Sequence, residues 1–360
     1  MPRIWDYGVY GLVYDGRKVD LTNKVDYITS STKIVIFRKS GGVLKGIDTL
    51  RSHGFSHIEE WSAEEQTPSR LEVLSKEQDT VVFFETVRQM NQWRDELKRL
   101  GIRYQLLTLV VVFLEDMLPK YRQVYTWLED DESRRAYTAS LSSRFKLIPD
   151  SDLKDVFCAD QYFAVPEMQT FSADEVFVDC GAFVGDTVEA YLQHCQGIFH
   201  KAIAFEPGPR QHDAMKKRFH RLKEEWALPD DRLVCVQAGL SSVSSHANIS
   251  GGEMSDNIIG TRLVESTDED AIRIVTLDEV LSGQRVDFIK ADIEGYEMDM
   301  LQGAEHLIRE QRPRLAICLY HKITDPYEIP LYLKKLVPEY HFKVRHHSMN
   351  FTENVLYAYC

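Results

Sequence analysis

Four short runs in the second half of the chain hold the residue types that do chemistry. Asp179-Cys180-Gly181-Ala182-Phe183-Val184-Gly185-Asp186 follows the apolar triplet Val176-Phe177-Val178, and Thr187 leads into apolar residues at helical spacing. Gly181 suits a tight turn, and Gly185 lets the start of a helix pack closely. Glu206-Pro207 closes the next apolar run, Ile203-Ala204-Phe205, about 20 residues further on. A carboxylate there can accept both hydroxyls of a ribose. Asp292-Ile293-Glu294 ends a third run, Val286 to Ala291. Its two acids sit at alternate positions and point the same way if the chain stays extended. His321 follows a fourth run, Leu315 to Leu319, and an unperturbed imidazole titrates near neutrality.

Charge decides which ligand the first loop favours. Asp179 and Asp186 flank the glycines, so a pyrophosphate would meet two carboxylates, whereas an ammonium or sulfonium would be attracted. The loop therefore suits S-adenosylmethionine better than NAD. Asp292 and Glu294 are placed to orient the methionine end of that cofactor or the acceptor, or to hold a divalent ion. Spacing identifies no third ligand, so the metal requirement stays open. Methyl transfer to a sugar or polyketide hydroxyl needs a base, and His321 is the candidate, with Asp292 or Glu294 able to share the role. Each residue also has a plain structural reading. Asp186 can cap a helix beginning at Thr187, and His321 can be a hydrogen-bonded structural histidine. His346-His347 is a lesser candidate, expected at the surface.

These groups need a scaffold. Residues 170–360 read as strands alternating with helices: Val176–Val178, Ile203–Phe205, Leu233–Val236, Val286–Ala291 and Leu315–Leu319, closed by strand-like runs at 342–344 and 355–358. That pattern predicts an open α/β sheet with its polar residues at the carboxyl ends of the strands, where ligands bind. A helix through Met215, Phe219, Leu222 and Trp226 carries the basic segment Lys216–Arg221, read as a solvated face. The stretch 241–270, with Gly251-Gly252, reads as a long irregular connection able to shape an acceptor pocket.

Residues 1–114 also alternate: strands at 34–37, 81–84 and 103–113, and helices at 44–50 and 87–100, the second ended by Gly101. This predicts a smaller Rossmann-like domain with a degenerate nucleotide turn. Alignment on Phe37 puts Arg38, Ser40 and Val43 where a G-x-G-x-x-G turn needs glycine, with Gly41 and Gly42 out of register. A structural or docking role follows, including a homo-oligomer built through this domain. Residues 115–169 read as a helical connector, with the charge run 128–135 as a solvated helix face.

From about Glu115 onward the sequence resembles FkbM-family methyltransferases. The matching runs are Val178–Thr187, Phe205-Glu206-Pro207, Val275-Thr276-Leu277-Asp278-Glu279, Lys290–Glu297 and Leu319-Tyr320-His321-Lys322. The resemblance implies the class I methyltransferase fold and S-adenosylmethionine as cofactor. It implies acceptors that are hydroxyls of sugars or secondary metabolites. The first domain resembles the Rossmann-like extension of some bacterial members. Two other functions compete: an NAD-dependent oxidoreductase or epimerase using the first domain, and a non-catalytic module that keeps the fold.

Composition sets the outer bounds. With 43 Lys plus Arg against 56 Asp plus Glu, the 360 residues carry a net charge of −13, which argues against nucleic acid as a partner. A 44% hydrophobic content is enough for a sizeable core. The longest apolar run, Leu106 to Leu114, falls well short of the ~20 residues that span a bilayer, and it reads as a buried strand. No run resembles a signal-peptide core. The six cysteines form no CxxC and read as buried thiols in a reducing cytoplasm.

Overall fold

The computed structural model describes residues 11–14, 17–20, 31–38, 45–114, 117–145, 150–250, 262–265 and 271–360. Ser40, Gly41, Gly42 and Val43 of the expected nucleotide turn lie outside the described residues, as do Leu44 and Gly251-Gly252. One compact unit takes the chain to Thr126 together with Thr138–Leu153; the other takes Trp127–Tyr137 and Lys154–Cys360.

The first unit contains a four-stranded parallel sheet in the order Ile58–Trp61, Lys33–Phe37, Thr80–Phe84, Arg103–Leu106. Ile34 to Phe37 and Val81 to Phe84 are fully buried, as expected where helices cover both faces of a parallel sheet. The helix Val87–Arg99 starts in a capping box: the Thr86 side chain accepts from the Gln89 backbone, and Gln89 accepts from the Thr86 backbone. The expected strand 103–113 is corrected. It stops at Leu106, and Leu107–Leu114 is a helix. A run that is apolar but for Thr108 has no period to separate the two states, and this helix is apolar because Leu107 and Val110 pack with Ile47 and Leu50 in the core.

At the carboxyl edge of this sheet, Phe37 stacks on Trp61 (ring centroids 5.5 Å) and meets Phe84 (5.2 Å) and Trp93 (5.8 Å) edge-on. Gln89 Nε2 donates to the Phe37 carbonyl (3.2 Å), and Gln66 Nε2 donates to the carbonyls of Arg38 (2.9 Å) and Trp61 (3.0 Å). Arg38 pairs with Glu60.

The second unit holds a seven-stranded sheet whose strands we label β1 (Val176–Cys180), β2 (Lys201–Phe205), β3 (Leu233–Val236), β4 (Phe288–Ala291), β5 (Arg314–Cys318), β6 (His341–His346) and β7 (Asn354–Tyr359). The spatial order is β6-β7-β5-β4-β1-β2-β3. Strands β1 to β5 pair in parallel, and β7 runs antiparallel to both β5 and β6. Helices α1 (Asp186–His194) and α2 (Pro209–Glu225) follow β1 and β2, and α3 (Glu297–Gln302), α4 (Glu305–Gln311) and α5 (Asp325–Leu336) follow in turn. The Met215, Phe219 and Leu222 face of α2 is buried, while Lys216 is exposed and ion-paired to Asp213. Asp278 accepts from the backbone N–H groups of His306 and Leu307, so the 275–279 run serves the start of α4.

Two expectations change here. The stretch 241–270 is not irregular where it is described: Ser245–Ser250 pairs antiparallel with Arg262–Glu265 and with Ile272–Val275 in a small second sheet. The cysteines are not all buried. Cys180, Cys195 and Cys318 are, but Cys158 and Cys235 are half-buried, and Cys360, beyond the end of β7, is exposed. Among the described residues no helix is long and apolar enough to cross a membrane.

Candidate active site

The loop after β1 is pinned at both ends. Gly181, Phe183 and Gly185 have positive φ (77°, 49° and 80°). The N–H groups of Gly181 and Ala182 donate to the Phe205 carbonyl at 3.1 and 2.9 Å, tying the loop to the end of β2. A Cβ on Gly181 would stand 1.9 Å from the Asp292 carbonyl oxygen, so the loops after β1 and β4 touch backbone to backbone. A Cβ on Gly185 would meet Phe219 at 2.9 Å and Met215 at 3.1 Å, the close packing on a helix that the sequence predicts. Ala182 is buried and Phe183 exposed. Asp186 is not a cap: Gly185 takes that position, and Asp186 lies exposed in the first turn, ahead of half-buried Thr187, where its charge favours the helix dipole.

Glu206 stands at the end of β2. Its Oε2 accepts from the Phe183 N–H (3.0 Å) and its Oε1 from the Gly208 N–H (2.8 Å), with half-buried Pro207 between. Burial pushes its carboxyl up, and those two donors oppose the shift. Each oxygen keeps one lone pair for a further donor. Gln211 sits beside it: a Cβ on Gly208 would lie 2.4 Å from Gln211 Oε1 and 2.9 Å from Glu206 Oε1. Gln211 Nε2 and both ring nitrogens of His212 are buried without a hydrogen-bond partner among the described residues.

Asp179 does not present a free charge to the loop. It is fully buried, 3.0 Å from Lys290 Nζ, its register partner on β4. The same ammonium donates to the Gly181 carbonyl at 2.8 Å. Burial alone would lower the Lys290 pKa, but the carboxylates of Asp179 and Asp292 outweigh it and hold it above the usual lysine value. The two-acid cradle expected from Asp179 and Asp186 is thereby corrected. A buried carboxylate persists only when paired, and the lysine supplying the pair lies within an apolar strand. A lysine at the same depth as an aspartate on the adjoining strand was the signal in the sequence.

Asp292, Glu294 and His321 do come together. Asp292 accepts from Tyr162 Oη at Oδ2 and from Tyr320 Oη at Oδ1, both at 2.9 Å. His321 Nε2 lies 3.5 Å from Asp292 Oδ1 and 3.6 Å from Glu294 Oε2. They converge by a turn rather than by extended alternation, for Glu294 (φ 56°) and Gly295 (φ 98°) are both left-handed. On the far side of the ring, Glu297 Oε1 is 2.8 Å from His321 Nδ1 and also accepts the Ile293 N–H at 2.9 Å. Burial would depress the imidazole pKa, but Glu297, Asp292 and Glu294 together raise it. Glu353, at the start of antiparallel β7, is brought to the same edge and accepts from Gln161 Nε2 at 2.7 Å. Spacing did not single out Tyr162, Glu297, Tyr320 or Glu353, because they reach the site from outside the glycine-loop pattern. His346 and His347 are not at the surface. His346 is fully buried beside Asn354, and His347 is bonded to the Cys158 carbonyl and Tyr357 Oη.

Residues 179–344, which include Glu206, Asp292, Glu294 and His321, match the family described as the methyltransferase FkbM domain. The chain carries an FkbM methyltransferase domain. Among solved structures the chain is similar to the methyltransferase FkbM of Methylobacillus flagellatus KT, at 20% identity and a TM-score of 0.56, over 91% of this chain and 90% of that one. That likeness gives the FkbM domain the Rossmann-like class I methyltransferase fold. Weaker likenesses are an rRNA methylase from Streptococcus thermophilus (12% identity, TM-score 0.35, 56% of this chain and 96% of that one) and M. capricolum TrmK in complex with S-adenosylhomocysteine (9%, 0.31, 53% and 63%). No curated protein matches the chain.

Proposed function

We propose that this protein transfers a methyl group from S-adenosylmethionine to a hydroxyl oxygen of a small-molecule or glycan acceptor. The observation that carries the reading is the pairing of two features along one edge. Glu206, with Gln211 beside it, stands at the end of β2, and a carboxylate–imidazole cluster lies at the ends of β4 and β5.

The residues present fit the cofactor. Glu206 has both carboxylate oxygens at the loop, each with a lone pair to spare, and beside it Gln211 Nε2 is a buried donor lacking an acceptor among the described residues. Glu206 would hold the ribose hydroxyls, while Gly181, Ala182 and Phe183 shape the loop above them. When bound, the cofactor supplies an electrophilic methyl group on a positively charged sulfur. With Asp179 neutralised by Lys290, Asp292 and Glu294 are the carboxylates able to favour that charge.

An acceptor hydroxyl must lose its proton as its oxygen is alkylated, and a positioned base contributes ~10²–10⁴-fold. His321 is the candidate from the sequence, but its neighbours keep it protonated to higher pH. Glu294 is the more open group, its side chain 39% exposed. Burial and the adjoining acids raise its pKa, though His321 opposes them, so it is a stronger base than an ordinary glutamate. In this arrangement Glu294 takes the proton, His321 orients it, and the Tyr162 and Tyr320 hydroxyls fix Asp292.

Calorimetry with S-adenosylhomocysteine and NAD in parallel tests the cofactor. Binding of the first and no heat from the second is expected, and tight binding of NAD alone would overturn the reading. Labelled cofactor with fractionated glycans and metabolites then identifies the acceptor, and label recovered only on nitrogen would exclude the hydroxyl.

A further inference from the structure

We infer that Asp292, Glu297 and His321 form a binding site for one divalent first-row metal ion, with Glu294 at its mouth. The ligand atoms come from three separate places on the edge: the end of β4, the first residue of α3, and the third residue past β5. One oxygen from each acid and one ring nitrogen all lie within 4.8 Å of one another. Metal–ligand bonds of ~2.0–2.2 Å need such atoms no more than about 4.4 Å apart, so a small side-chain rotation closes the set.

Clustered acids alone would not make a site. Here the buried members each leave polar atoms without a hydrogen bond among the described residues. Glu297 is fully buried, and its Oε2 has no partner among the described residues. The His321 side chain is only 9% exposed, yet its approaches to Glu297, Asp292 and Glu294 have ion-pair distance without hydrogen-bond geometry at either ring nitrogen. A buried carboxylate oxygen and an imidazole left this way are costly unless something sits between them.

The surroundings also match what metal ligands require. Tyr162 and Tyr320 donate to the two oxygens of Asp292, and the Ile293 N–H donates to Glu297 Oε1, fixing the carboxylates from behind. Lys290 is already paired with Asp179, so Asp292, Glu294, Glu297 and Glu353 leave an excess of negative charge. Donors of one imidazole and carboxylates, with no thiolate among them, favour a hard or borderline ion such as Mn²⁺ over Cu(I). Asp292 and Glu294 are partly exposed, so the ion would keep open positions toward solvent.

The test needs no knowledge of the acceptor. The full chain, stripped with a chelator, is titrated with MnCl₂ and followed by calorimetry and by the electron paramagnetic resonance of free Mn²⁺. One ion per chain is expected, with affinity reduced at least tenfold in Glu297→Gln and in Asp292→Asn, and unchanged in the exposed control Glu224→Gln. Circular dichroism establishes that each variant folds, and either acid variant suffices if the other does not. No uptake by the wild-type chain up to about 1 mM Mn²⁺, or equal uptake by the folded acid variants, overturns the site. S-adenosylhomocysteine affinity measured on the same samples separates the two questions, because failed metal uptake with intact nucleoside binding leaves the methyltransferase reading standing.

Discussion

At the carboxyl edge of the first unit's sheet, Phe37 packs among Trp61, Phe84 and Trp93, while Gln66 and Gln89 occupy the backbone carbonyls of the strand ends. At the same edge of the second sheet, the strand ends present Glu206, Asp292 and His321, and buried polar atoms stand without hydrogen-bond partners among the described residues. In both sheets the central strands pair in parallel and are mostly apolar, with Asp179 and Lys290 a buried pair inside the second. Among the described residues they differ at the strand ends. In the first sheet Gln66 and Gln89 bond the Phe37, Arg38 and Trp61 carbonyls and the rings pack on one another; in the second, Gln211 Nε2, Glu297 Oε2 and the His321 ring nitrogens have no hydrogen-bond partner. A shared α/β architecture therefore says where a ligand would bind, and residual polar capacity says whether one does.

The comparison can be broken by substitution, beginning with the strongest effects. Lys290→Met leaves Asp179 buried without its counter-charge and should cost ~3–5 kcal/mol of stability by urea denaturation. The double variant Asp179→Leu with Lys290→Met should recover most of it. In the first unit, Phe37→Ala should cost a similar ~3–5 kcal/mol while leaving S-adenosylhomocysteine affinity unchanged. Comparable loss of affinity there would erase the distinction between the two edges.

Acid should act next. His347 is held neutral by burial, its pKa lowered from 6.5 to about 4. Between those values the unfolded chain binds the proton and the folded one does not, so stability is full above pH 6.5 and falls as pH drops toward 4. The loss is roughly 3 kcal/mol, at about 1.4 kcal/mol per pKa unit. Chemical denaturation across that range checks it, and His347→Gln should flatten the dependence. A loss as large in that variant would place the acid sensitivity elsewhere.

Glu206→Ala removes an ionised acceptor from two donors and should weaken S-adenosylhomocysteine about 100-fold, at ~1.5 kcal/mol or slightly less for each hydrogen bond. Arg38→Ala, at the corresponding place in the first sheet, should leave that affinity alone. The smallest effect is local. Thr86→Ala breaks the capping box of the helix Val87–Arg99 and should cost ~1 kcal/mol, read as a lowered midpoint with no change at the second edge.

Much of the second edge is legible in the sequence because parallel strands buried on both faces read as short apolar runs, and each functional acid stops one. Gly181, Gly185, Glu206, Asp292 and His321 follow from that punctuation. Lys290 escapes it: it lies inside a strand, and its meaning depends on the register with Asp179. Tyr162 and Glu353 escape too, since they reach the edge from a segment before β1 and from an antiparallel strand. In the first unit the run from Leu106 to Leu114 defeats periodicity altogether. Its helix is apolar except for Thr108, and its neighbours decide its form.

The missing side chain at position 181 has a bearing on how this enzyme could be retooled. With no room for even a methyl group between that residue and the Asp292 carbonyl, the loops after β1 and β4 are locked together, and on the function proposed above they would carry the donor and acceptor sides of one site. Mutant libraries aimed at new acceptors would waste their diversity there. The adjustable positions are Phe183 and Glu294, which project to solvent from either side of that fixed joint.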